Sequence, residues 1–154
     1  MTFDLVALHG GPVPPASEIL AGFETVATTK GTDQVNLLLR CTAPDRVKND
    51  EKYFHLNNVG WHHLWDIAQA LSPIAAGTGG AWRSNSGHCL NAAVTDLIAQ
   101  QMQQSRQTLQ RSGHWHDFIG RFLPDSSLQT RREFEQLMDH LVSWLQQSQG
   151  AVAY

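Results

Sequence analysis

The sequence predicts an α+β, mainly helical fold: a short N-terminal β-α-β piece packed on about four helices. Three observations carry this. Phe3–Leu8 is a compact apolar run of β-compatible residues, Val35–Cys41 alternates apolar and polar positions, and from Asn58 onward the apolar period becomes helical. The 154 residues suit a single domain, with an αβ part over 1–42 and a helical part over 53–150.

Taken in order, FDLVAL over 3–8 reads as a buried strand that His9-Gly10-Gly11-Pro12 ends. Pro14-Pro15 then leads into Ile19, Leu20, Phe23, Val26 and Ala27, a helical stripe that Gly31 closes. In the next strand Val35, Leu37, Leu39 and Cys41 share one face. The charge-rich stretch over 43–52 is a surface loop. Trp61, Leu64, Trp65, Ala68 and Leu71 form one helical stripe, with Asn57 or Asn58 as its N-cap and Pro73 and Gly77 as terminators. Gly77–His88 is a loop. Asn91 caps a long helix carrying Val94, Leu97, Ile98 and Met102, which Ser112-Gly113 breaks. A short amphipathic helix with Trp115, Phe118, Ile119 and Phe122 runs to Pro124. The last helix starts near Thr130, where Thr130 and Glu133 match a capping box, and ends at Gly150.

Composition narrows the function classes. Gly and Pro total 18, which excludes collagen-like and low-complexity chains. A net charge of −3 argues against general nucleic-acid binding, which needs a clustered basic excess to displace counterions. No apolar stretch approaches the ~20 residues of a membrane span, and Met1–His9 lacks a basic n-region, so a cytoplasmic protein is expected. Cys41 and Cys89 read as small apolar residues. Eleven of the 13 Gln fall between Gln100 and Gln149, which reads as a weakly charged, solvated helix surface.

Tyr53–Gln69 (YFHLNNVGWHHLWDIAQ), the block Asn85-Ser86-Gly87-His88 with the helix after it, and the terminal Ser148-Gln149-Gly150 carry a resemblance. The chain resembles an uncharacterised family of small bacterial and phage proteins with an aromatic-Asn-x-x-W-x-x-L-W helix start and a downstream Asn-[Asp/Ser]-Gly-His block. Many of those proteins carry paired Cys-x-x-Cys motifs between the second and third blocks, which are missing here, and Gly60, His62 and His63 replace bulkier neighbours. The resemblance implies a shared fold and a phage or mobile-element provenance. It implies no mechanism.

Three polar groups are candidates for chemistry. Asn57 and Asn58 open the Trp61 helix, where free N–H groups favour an anion; simple capping is the competing use. Trp82, Arg83, Ser84, Asn85 and His88 lie in the loop before the next helix, where Arg83 would clamp a phosphate or carboxylate and Trp82 would stack on a planar ligand or partner. The loop matches no phosphate-binding motif, and a polar turn is the plainer alternative. His62, His88, His114 and His116 offer metal ligands without any recognised zinc spacing, and His62 stands four residues from Asp66 as an ordinary helix pair or an oriented base.

No nucleophile motif, paired acids or cofactor fingerprint is present. The expected protein is therefore a non-catalytic binding or interaction protein, taking an anionic, nucleotide-like ligand or a protein partner. Its site would be an electropositive pocket where the Asn57 and Asn85 loops converge, with Trp61 among its ligand-binding residues. The alternatives are a metal-dependent hydrolase using the histidines and an immunity or inhibitor protein that blocks a toxin or defence enzyme.

Overall fold

The computed structural model describes residues 2–12, 53–84 and 87–153. The predicted helix over 19–27, the strand over 35–41, the loop over 43–52, Cys41 and Asn85 lie outside the described residues. The fold is α+β and mainly helical. In chain order it comprises β1 (Thr2–Ala7), β2 (Tyr53–Asn57), α1 (Asn58–Leu71), α2 (Pro73–Gly77), β3 (Cys89–Leu90), α3 (Ala92–Arg111), α4 (Trp115–Phe122), α5 (Leu128–Ser148) and β4 (Ala151–Ala153).

The strands form an antiparallel sheet in the order β2-β1-β4-β3. Asn57 lies opposite Thr2, whereas Ala7 and Leu90 both pair with Ala151. The first strand is thus clasped between β2 and the last residues of the chain. Alternation sends Phe3, Leu5, Ala7, Phe54, Leu56, Ala151 and Ala153 to the face that packs on the helices. Val6 and Val152, cross-strand partners on the other face, are also buried.

Aromatic packing joins this sheet face to the helices. The Trp61 ring stacks on Phe3 at 4.0 Å and on Trp65 at 5.4 Å, and Phe54 reaches Trp144 of α5 at 5.9 Å. Offset and tilted ring pairs of this kind add to plain area burial. Helices α3 and α5 run antiparallel: Thr95 Oγ1 accepts from the Gly150 amide, and Arg106 pairs with Asp139 nearer the opposite end.

Several local expectations are revised. Helix α5 starts at Leu128, because Ser127 sits in extended backbone and its Oγ accepts from the Thr130 amide at 3.1 Å; Glu133 instead accepts from Gln129. Pro73 ends α1 but also opens the short α2, with Ser72 as its cap. The chain turns from α5 into β4 through Gln149 and Gly150, both with positive φ. There the amides of Leu8, His9 and Gly10 donate to the carbonyls of Gly150, Ser148 and Gln149, so the loop after β1 covers the end of α5.

Candidate functional site

Asn57 is the N-cap of α1: its Oδ1 accepts from the buried Gly60 amide at 2.6 Å, and the side chain is itself buried. Asn58 is the first helical residue and is half-buried. Asn91 caps α3 in the same way, accepting from the Val94 amide at 3.0 Å. Both helices thus fill part of their own N-terminal donor set.

The two N-termini do not converge. Helix α1 leaves β2 beside Thr2, while α3 leaves β3 beside Ala151 and Ala7, at the other end of the sheet and on its other edge. Five residue steps along the strands and three strand spacings across them separate these corners, roughly 17 Å by 14 Å.

The loop after α2 instead lies lengthwise on α1. Trp61 Nε1 donates to the Trp82 carbonyl at 2.6 Å, His62 Nε2 donates to the Arg83 carbonyl at 3.1 Å, and Gln69 donates to the Gly79 carbonyl at 3.3 Å. Trp82 corrects the expectation of an exposed stacking platform. It is fully buried, 5.4 Å from Trp65, and its own indole N–H donates to the His88 carbonyl at 3.2 Å. The surrounding polar residues concealed a core side chain. Trp61 is likewise wholly buried and offers no edge to a ligand.

Arg83 Nη2 donates to Asp66 at 2.6 Å and to Gln69 at 3.3 Å, so the cation on which anion binding depends is paired with α1. Asp66 therefore serves Arg83, and His62 serves the loop backbone. Ser84 and His88 are exposed.

The histidines do not assemble. His62 is bound to the loop, His114 Nδ1 lies 3.1 Å from Ser112 Oγ, and His116 Nε2 lies 3.4 Å from Arg131 Nη1. Among the described residues no three His, Cys, Asp or Glu side chains gather where a metal ion would be held. Cys89 is exposed on the β3 edge, and partial burial pushes its thiol pKa up, away from an activated thiolate.

A concavity opens elsewhere, in a place the candidate residues did not mark. A groove of ≈310 Å³ runs between α3 and α5, lined by Met102, Gln103, Arg106, Gln107, Gln110, Met138, Asp139 and Val142. Met102, Met138 and Val142 form a floor that is nearly covered, and the glutamines form an exposed rim. Arg106 spans the groove to Asp139 and lies over the Trp115 ring, 5.1 Å from its centroid; Trp115 Nε1 donates to Glu135 at 2.6 Å. Gln146 donates to Gln103 at 3.3 Å across the same gap. The signal for this site was present in the sequence as the Gln bias between Gln100 and Gln149, but pairing two helices across it requires their antiparallel register.

Comparison with protein-family models, with curated proteins and with solved structures finds no match for this chain.

Proposed function

We propose that this chain is a non-catalytic interaction protein whose partner is another protein, engaged through the α3–α5 face. One contrast carries the reading. Arg83 is paired with Asp66 and Gln69, while the α3–α5 groove presents a rim of uncharged amides that face water. A phosphate or nucleotide needs unpaired cations or convergent N–H groups. A protein surface is served by a groove whose amides both donate and accept.

Two measurements test it. Thermal denaturation in the presence of nucleotides and inorganic phosphate is expected to leave the melting temperature unchanged, for the parent chain and for Arg83→Ala alike. A photo-crosslinker at Gln107 is expected to trap a protein in the native host, and adding Gln103→Glu with Gln110→Lys to the crosslinker-bearing chain is expected to reduce the adduct. Stabilisation by a nucleotide that disappears in Arg83→Ala would contradict the reading.

A further inference from the structure

We draw no further inference here: the strongest candidate, the groove between α3 and α5 where the Arg106 guanidinium meets Asp139 over the Trp115 ring, belongs to the site already described, and with its two charges paired and its rim made of amides nothing in the structure shows what covers it.

Discussion

Trp82 and Arg83 are neighbours in sequence, yet their substitutions should differ widely. Trp82 is wholly enclosed by Trp61, Trp65 and the strand-side loop, so Trp82→Ala is expected to cost ~3–5 kcal/mol. Arg83→Ala removes an ion pair whose side chains are 51% and 43% exposed and is expected to cost less than ~1 kcal/mol. Chemical denaturation of the two variants checks the contrast; equal losses would show that Arg83 holds the loop more firmly than its exposure allows. Asn57→Ala belongs at this scale too. Losing the cap on the buried Gly60 amide is expected to cost ~1 kcal/mol, or about 2–4 °C in melting temperature. The Cys89 thiol, pushed upward by burial, should react slowly with alkylating reagents at neutral pH. Its rate should keep climbing with pH past the point where a free cysteine levels off, and an early plateau would contradict the burial. The sign for stability follows. The folded state holds this proton more tightly than the unfolded one, so any contribution is present below the usual thiol range and is lost as pH rises through it.

At the scale of elements, the turn from α5 to β4 makes strict demands on the backbone, with consecutive positive φ at Gln149 and Gly150. Gly150 has φ +97, and a Cβ there would come within 3.2 Å of the Leu90 carbonyl and 3.3 Å of the Ala92 amide. Gly150→Ala is therefore expected to cost ~1–3 kcal/mol, measured by thermal melting, with an unchanged melting temperature contradicting the turn geometry. Helices α1 and α3 were legible because each advertises itself twice, by an apolar stripe and by a cap: Asn57 before Trp61, Asn91 before Val94. The strands were harder. β2 runs straight into α1 with no breaker, and β4 is only three small residues whose pairing with Leu5–Ala7 depends on the far end of the chain. The start of α5 was misplaced because Thr130 and Glu133 imitate a capping box, while Ser127 holds the extended backbone a cap requires.

For the whole molecule, the candidate site was legible only in part. The polar residues before α1 and α3 attracted attention because helix N-termini bind anions, yet the sheet sends those two termini to diagonally opposite corners. Residue type was visible in the sequence; long-range register was not. The same limit hid Trp82 in the core and hid the pairing of α3 with α5 across the groove.

Among the measurements above, photo-crosslinking at two positions bears most directly on where this protein makes its contacts. With the reactive group at Gln107, on the amide rim of the groove, a protein–protein adduct is expected; with the group at Arg83, paired to α1 on the loop, none is expected. Adducts from position 83 together with a silent position 107 would contradict the account.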